Sequence, residues 1–220
     1  MDEQNPNSII SPVPWEQRDR IGFFNALWQT IKQAALQPGN FFSRVNVAGP
    51  LKGPLVFYFG ISLFVFMIST LFSSVLPPKD LAPLGPGKML LLSFLFLFVG
   101  IFLEAGVVHL FVKGFGGKDG YRATLIVMAY ASAVAPLSLI PYAGGLISSV
   151  WMIFIAVQGL KVIHKMSLGR AIAAYLLFPV VIMVIIGIFV AVSTYQQSAR
   201  DAELRRSAQV DTPISAQPLK

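Results

Sequence analysis

The sequence contains no cysteine, so it forms no disulfide framework and offers no thiolate for catalysis or metal binding. Charge is also scarce, because Asp, Glu, Lys and Arg make up 12% of the 220 residues, whereas soluble domains carry about 25%. The first eleven residues have neither a basic start nor an apolar run, so they do not resemble a cleavable signal peptide. These shortages argue against an ordinary soluble domain, and we expect the first apolar segment to act as an uncleaved insertion signal.

Hydrophobic residues make up 55% of the chain and concentrate in long runs that lack interior Lys and Arg. About 20 apolar residues suffice for a helix to cross the ~30 Å hydrocarbon core of a bilayer. Proline, glycine and basic residues separate the runs. The predicted spans cover residues 55–76, 89–112, 123–140, 143–160 and 171–195. The sequence therefore predicts an all-α fold, a polytopic membrane bundle of five transmembrane helices.

Two connections between the predicted spans are distinctive. Residues 77–88 are rich in proline and glycine and predict a linker. Only Pro141 and Tyr142 separate the third and fourth spans, which predicts a tight hairpin. Pro179 lies inside the fifth span and is expected to kink the helix where neighbouring helices cover the backbone.

The N-terminal region precedes the first span. In residues 20–37, apolar side chains recur at spacings of three and four, which predicts an amphipathic helix. Its Trp and Phe content suits a position in the membrane interface, while packing of the apolar stripe on the bundle is the alternative. Pro38 with Gly39 is expected to end this helix, and Phe41 with Phe42 to act as interfacial anchors.

These features divide the chain into four segments. The expected segments are a flexible N-terminal tail at 1–19, the amphipathic interfacial helix with the segment leading into the first span at 20–53, the five-helix transmembrane domain at 54–195, and a polar C-terminal tail at 196–220, whose first part has a helical pattern.

The distribution of basic residues predicts an orientation. With a cytoplasmic N-terminus, 11 of the 17 Lys and Arg residues fall on the cytoplasmic side, so the chain should run N-terminus in and C-terminus out. A net charge of +7 would suggest nucleic acid in a soluble protein, but short basic loops between apolar runs favour anionic lipid headgroups. The residues expected to contact lipid or a protein partner are Lys113, Lys118, Arg122, Lys161, His164, Lys165 and Arg170.

The second span carries two polar residues, Glu104 and His109. Ionisable groups in a span cost about 2.5–3.5 kcal/mol on insertion scales unless they face protein or water, so both are expected to face the bundle. With Tyr130 they form the candidate intramembrane polar site. Glu104 is either a proton or cation site or a structural carboxyl group. Its candidate partners in the structural case are Ser62, Ser69, Tyr130 and Tyr175.

Metal, phosphate and catalytic motifs are incomplete in this sequence. Glu104 and His109 lie about 140° apart around a regular helix, so a zinc site would have to combine His109, His164 and Asp119. The glycine-rich segment 114–120 lacks the Ser or Thr that follows Lys in a phosphate-binding loop. Its glycines are expected to allow a tight turn with positive φ. No nucleophile accompanies the histidines, so we expect neither a cofactor nor an enzyme.

Several short motifs occur in a characteristic order between residues 14 and 190. They are Pro14-Trp15-Glu16, Pro38 with Phe41-Phe42, His109 before Gly116-Gly117-Lys118, Tyr130 with Pro136, Pro141 with Gly144, Trp151, and Gly159 with His164. This series resembles the bacterial branch of the Yip1 domain family. The resemblance implies a five-helix integral membrane domain with a cytoplasmic N-terminus, in the inner membrane of a bacterium. Eukaryotic members of the family are similar to factors that bind Rab-type GTPases and act in transport between the endoplasmic reticulum and the Golgi. We do not expect this role for the present chain, which resembles the bacterial branch.

Two functions of different kinds follow from these observations. The first is a non-enzymatic scaffold that organises the membrane or binds a protein partner or a second copy of the chain, with lipid against its basic cytoplasmic face. The alternative is a small transporter or channel that uses Glu104 as an intramembrane proton or cation site. An intramembrane hydrolase would require His109, His164 and an acidic residue to converge.

Overall fold

The computed structural model describes residues 12–75 and 85–210, which are mostly helical. The α-helices are α1 (Arg18–Ile21), α2 (Phe23–Leu36), α3 (Pro38–Ser43), α4 (Lys52–Val75), α5 (Gly85–Gly114), α6 (Tyr121–Ala131), α7 (Gly144–Ile163) and α8 (Leu168–Val210). Two 3₁₀ segments, Pro14–Gln17 and Ser132–Leu139, precede α1 and follow α6. Residues 1–11 of the predicted tail, 76–84 around the predicted linker and 211–220 of the C-terminal tail lie outside the described residues.

Five segments of the described chain are long and apolar enough to cross a membrane. They are Lys52–Phe72, Leu91–Gly114, Tyr121–Leu139, Gly144–Ile163 and Leu168–Arg206. The five predicted spans and the all-α fold class are thus confirmed. The helices exceed the apolar runs at several ends, because polar residues continue a helix once its backbone hydrogen bonds propagate. α5 begins at Gly85, inside the predicted linker, and α8 continues through the charged residues after Tyr195.

The third span changes its helix type halfway. α6 ends at Ala131 and the 3₁₀ segment Ser132–Leu139 completes the span. Pro136 lies in this second half, where its ring and missing N–H disfavour a regular α-helix. The predicted hairpin follows: a methyl group at Gly144 would lie 2.3 Å from the carbonyl oxygen of Leu137. Only glycine fits this approach, so the hairpin between the third and fourth spans depends on Gly144.

Part of the segment predicted as a flexible tail is packed. Trp15 is 2% exposed, and its indole N–H donates a 2.7 Å hydrogen bond to the carbonyl of Gly53. The indole ring lies 5.4 Å from the rings of Phe23 and Phe57. The tail prediction was therefore wrong for residues 14–17, because one tryptophan joins the chain to the start of α4.

The break after α2 is short, and α3 begins directly at Pro38. Proline suits the first helical position, where no N–H is needed. Pro38 thus ends one helix, as predicted, and also starts the next. Phe41 and Phe42 on α3 are 0% and 1% exposed, so they are core residues, and their interpretation as interfacial anchors was wrong.

The core of the first part of the chain is built around aromatic contacts. The ring of Tyr130 on α6 lies 5.1 Å from Phe41 and 5.4 Å from Phe57. On α7, a methyl group at Gly159 would lie 2.7 Å from Val127 Cγ1 and 2.8 Å from Phe42 Cε2. α3, α4, α6 and α7 therefore meet where one glycine admits a phenylalanine ring.

The chain divides into two compact units, Met1–Phe178 and Pro179–Lys220. The second unit, in its described residues, is the helical stretch from Pro179 to Val210. It is apolar to about Tyr195 and charged from Arg200. All of the sites described below belong to the first unit.

The contact at Gly159 predicts a stability difference between two glycine variants. We expect Gly159→Ala to lower the free energy of unfolding by about 1–3 kcal/mol, because the added methyl group overpacks the core. The matched control is Gly60→Ala, where the methyl group meets nothing within 4 Å. Tryptophan fluorescence during unfolding in detergent measures both variants, and equal stabilities would contradict the assigned packing.

Candidate functional site

A threonine connects two histidines that are distant in sequence. His109 Nδ1 on α5 lies 2.9 Å from the hydroxyl oxygen of Thr124 on α6. The same oxygen lies 3.0 Å from Nε2 of His164, which directly follows α7. The two imidazole rings have centroids 6.0 Å apart. We call this group the His–Thr–His cluster; it joins three consecutive helices at one end of the bundle.

The glycine-rich loop after α5 positions this cluster. Gly116 has a φ of +84°, a conformation that favours glycine. A methyl group at Gly117 would lie 2.4 Å from Val112 Cγ1, and the Gly117 N–H donates to the Val112 carbonyl at 2.8 Å. The Lys118 N–H then donates to the carbonyl of His164 at 3.4 Å. The predicted tight turn is confirmed, and it fixes the loop against the residue that carries one imidazole.

His164 is fully buried. Its side chain is 0% exposed, and burial is the main cause that lowers its pKa from 6.5 to about 4. Asp119 raises the pKa, while His109 and Lys113 lower it further. The ring is therefore neutral at pH 7. Because a hydroxyl group has one proton, at least one of the two imidazoles must donate to Thr124.

The cluster does not complete the zinc site considered from the sequence. His109 and His164 come together, and Asp119 acts on His164 electrostatically. Among the residues that the structure describes, however, no three His, Cys, Asp or Glu side chains could hold a metal ion together. The oxygen between the imidazoles belongs to a neutral threonine, which is a poor zinc ligand. The geometry fits a hydrogen-bonded connection between helices.

Glu104 occupies a different position on α5, partly buried in the bundle. Its carboxyl group faces the hydroxyl of Tyr175 on α8 and interacts with it electrostatically. Tyr58 on α4 also interacts electrostatically with Glu104. Its hydroxyl donates a 3.3 Å hydrogen bond to the carbonyl of Leu97 on α5. Tyr175 was one of four partners considered from the sequence.

Tyr130 belongs to neither of these groups. It is fully buried, and the polar group that faces its hydroxyl is the carboxyl group of Glu16. Burial raises the pKa of Glu16, and the Arg18 guanidinium lowers it. That guanidinium also lies 5.3 Å above the Trp15 ring. The structure thus distributes Glu104, His109 and Tyr130 over three separate polar groups.

The basic residues grouped in the sequence analysis share one end of the first unit. All the lysines and arginines of that set are exposed: Lys113, Lys118, Arg122, Lys161, Lys165 and Arg170. The guanidinium of Arg122 donates to the carbonyl of Gly49. A methyl group at Gly116 would lie 3.9 Å from Arg170 Nη1. His164 was wrongly included among the contact residues, because its buried side chain cannot reach lipid or a partner.

The comparison with known families settles the classification. The family model of the Yip1 domain matches residues 32–191, which is most of the chain. The chain belongs to the Yip1 domain family. No curated protein and no solved structure matched it. With five apolar helices of sufficient length, this Yip1 domain protein is a multi-pass integral membrane protein.

Sequence reasoning missed Thr124 altogether, and it missed the contacts of two tryptophans, Trp15 and Trp151. Thr124 bridges the histidines, Trp15 joins the N-terminal segment to α4, and Trp151 donates a 3.0 Å hydrogen bond from its indole to the carbonyl of Ala35. Trp151 is 41% exposed. The signal that could have identified Thr124 is its position, a hydroxyl group in the first turn of an apolar span, beside a basic loop. Spacing along the chain does not indicate which distant residues it meets.

Acidification should destabilise the Yip1 domain through His164. Its folded pKa of about 4 lies below the ordinary value of 6.5, so its contribution is complete above pH 6.5 and is lost as the pH falls towards 4. His164→Gln retains an amide N–H for Thr124 but does not titrate. We expect melting temperatures measured from pH 7 to about pH 4 to fall more for the parent protein than for the variant.

The comparison of the two pH profiles isolates His164 from other groups. Asp119, His109 and Lys113, which face His164, are present in both proteins. Glu16, whose raised pKa acts in the opposite direction, is also unchanged. Parallel profiles for the parent and His164→Gln would contradict the assigned burial of a neutral imidazole.

The Glu104–Tyr175 pair should behave as one structural unit. We expect Glu104→Leu to cost about 1–3 kcal/mol of unfolding free energy, because it removes the carboxyl group that faces the buried Tyr175 hydroxyl. Glu104→Gln keeps an acceptor and should cost less. Combining Glu104→Leu with Tyr175→Phe should cost less than the sum of the single variants. Strict additivity of the two unfolding free-energy changes would exclude the pairing. A separate measurement of proton flux into liposomes tests the alternative function, because a flux that Glu104→Gln abolishes would favour a transporter.

Proposed function

We propose that this Yip1 domain protein is a non-enzymatic scaffold of a bacterial inner membrane, with a cytoplasmic N-terminus. It organises the membrane by binding anionic lipid headgroups at a basic face. We define the basic face as the exposed side chains of Lys113, Lys118, Arg122, Lys161, Lys165 and Arg170. Membership of the family and the five spans support a membrane function.

The observation that carries this proposal is the convergence of separate basic connections on one surface. The loop after α5 supplies Lys118, and the turn after α7 supplies Lys165. The backbone hydrogen bond from Lys118 to His164 holds the two connections together. The contact from Arg122 to Gly49 brings the segment before α4 to the same end. Basic residues that are distant in sequence therefore share a surface at one end of the first unit.

Electrostatics favours lipid as the occupant of this face. Each Lys or Arg near an anionic membrane surface contributes about 1 kcal/mol of attraction. In membrane proteins, the short loops on the cytoplasmic side carry an excess of Lys and Arg. This rule supports a cytoplasmic position for the basic face and for the N-terminus. A protein partner or a second copy of the chain would instead bind these cations through an acidic surface. Lipid-binding measurements distinguish these occupants.

The test compares two triple variants that remove equal charge. Lys113, Lys118 and Lys165 are replaced by Gln in the first, and Arg200, Arg205 and Arg206 of the second unit are replaced by Gln in the control. Native mass spectrometry of the detergent-purified protein measures binding of phosphatidylglycerol and phosphatidylcholine. We expect the first variant to bind phosphatidylglycerol about a hundredfold more weakly than the parent, and the control to retain most of the binding.

Two outcomes would overturn the proposal. One is a parent protein that does not prefer phosphatidylglycerol to phosphatidylcholine. The other is an equal loss of binding in both triple variants, since the basic face would then have no special role. Preferential crosslinking of the basic face to a protein, without any lipid preference, would assign it to a partner instead.

A further inference from the structure

We propose that residues 14–51 form a re-entrant helical hairpin, which enters the membrane beside the bundle and returns to the side from which it came. Lipid acyl chains cover its outer face. This inference concerns the topology of the N-terminal segment and holds whichever compartment contains the N-terminus. It therefore stands independently of lipid binding at the basic face.

The first arm of the hairpin descends along the bundle. It begins at Trp15, whose indole is bonded to Gly53 at the start of α4. It ends near Ala35, whose carbonyl accepts the indole N–H of Trp151. Trp151 lies twelve residues before the end of α7 at Ile163, a distance of about 18 Å along a helix. Ala35 is therefore near the middle of the ~30 Å hydrocarbon core.

A second contact supports this depth. α2 packs against the 3₁₀ segment Ser132–Leu139, the half of the third span that is farther from Tyr121. Ser132 lies eleven residues after Tyr121, and so about 16 Å from the basic end of the bundle. A helix lying flat at the headgroups near Tyr121 would not reach this segment.

The second arm returns to the basic end. After the reversal at Gln37, α3 carries Phe42 to Gly159, which lies only four residues before Ile163. The chain then reaches Gly49, whose carbonyl accepts a hydrogen bond from Arg122 at the start of α6. The hairpin thus begins and ends at the level where α4 starts.

Backbone hydrogen bonds cross the reversal, which limits the number of unpaired backbone groups at membrane depth. The Gln37 N–H donates to the Gln33 carbonyl at 2.9 Å, and the Phe41 N–H donates to the Gln37 carbonyl at 2.9 Å. The side chains of the two arms are also connected, because Arg44 Nη2 lies 2.5 Å from Gln33 Oε1. Backbone hydrogen bonding therefore continues through the break between α2 and α3.

The two faces of α2 fit this position between protein and lipid. Ala26, Thr30 and Ala34, spaced four apart, are fully buried, and small residues allow close approach of helices in membranes. The opposite face exposes Phe24 at 81% and Trp28 at 65%.

The outer face is continuous with the lipid-facing surface of α7. Beside the contact of Ala35 with Trp151, α7 exposes Trp151 and Phe154 at 41% and 46%. A membrane-spanning helix exposes such side chains to lipid acyl chains. The adjacent face of α2 therefore contacts the same acyl chains. Lys32 is exposed on α2, and its long apolar stem allows the ammonium group to snorkel towards the headgroups.

The absence of cysteine makes accessibility mapping direct. Single cysteines are introduced at Leu36 near the reversal, at Ala48 after the second arm, and at Ala143 between the third and fourth spans. All three positions are exposed. A membrane-impermeant maleimide is applied to right-side-out and to inverted vesicles. We expect Ala48→Cys to be labelled from one side only, Ala143→Cys from the other side only, and Leu36→Cys from neither side.

A second readout distinguishes lipid from protein as the cover. A bimane probe on Leu36→Cys, in liposomes, should be quenched by phosphatidylcholine that is brominated in the middle of its acyl chains. Trp28→Cys lies on the same face, eight residues and about 12 Å nearer the headgroups. It should be quenched more strongly by lipid brominated near the headgroup, and it replaces Leu36→Cys if that variant fails to fold. Labelling of Leu36→Cys by the impermeant reagent, or a protected position that brominated lipid does not quench, would overturn the hairpin.

Discussion

The first unit depends on the close approach of Phe42 to Gly159. Apolar helices in lipid gain little from the hydrophobic effect when they associate, so packing decides which helices meet. The glycine admits the phenylalanine ring, and neighbouring ring contacts extend through Phe41, Tyr130 and Phe57 to Trp15. Each such pair contributes about 0.5–1.5 kcal/mol beyond its buried area. The N-terminal segment, α4, α6 and α7 are thereby held in one arrangement.

The transmembrane spans could be predicted from the sequence because bilayer thickness imposes length and composition on each of them. Helix ends could not, since α5 begins at Gly85 inside the predicted linker and α8 continues through polar residues past Tyr195. The prediction for the N-terminal region failed for a different reason. Trp15 and Phe42 look like surface anchors in an amphipathic or polar context, and only their tertiary partners make them core residues. In this region the buried face of α2 consists of small residues, which a search for large apolar stripes overlooks.

The polar groups show a similar division. Burial of Glu104 and His109 followed from the cost of ionisable groups in lipid, and Tyr175 was among the partners considered for Glu104. The bridge through Thr124 could not be predicted, because it requires the register between α5, α6 and the turn after α7. The hydroxyl of Tyr130 faces Glu16, a residue from the segment predicted to be a flexible tail. Single-sequence reasoning identified which groups need partners but only partly identified the partners.

The hydrogen bond between Trp151 and Ala35 has a consequence for biogenesis. A chain that is inserted from its N-terminus exposes Ala35 to the membrane well before the ribosome has made α7. α2 can therefore make this contact only after α7 has been synthesised. Until then, the polar carbonyl of Ala35 lacks the partner that it has in the folded protein.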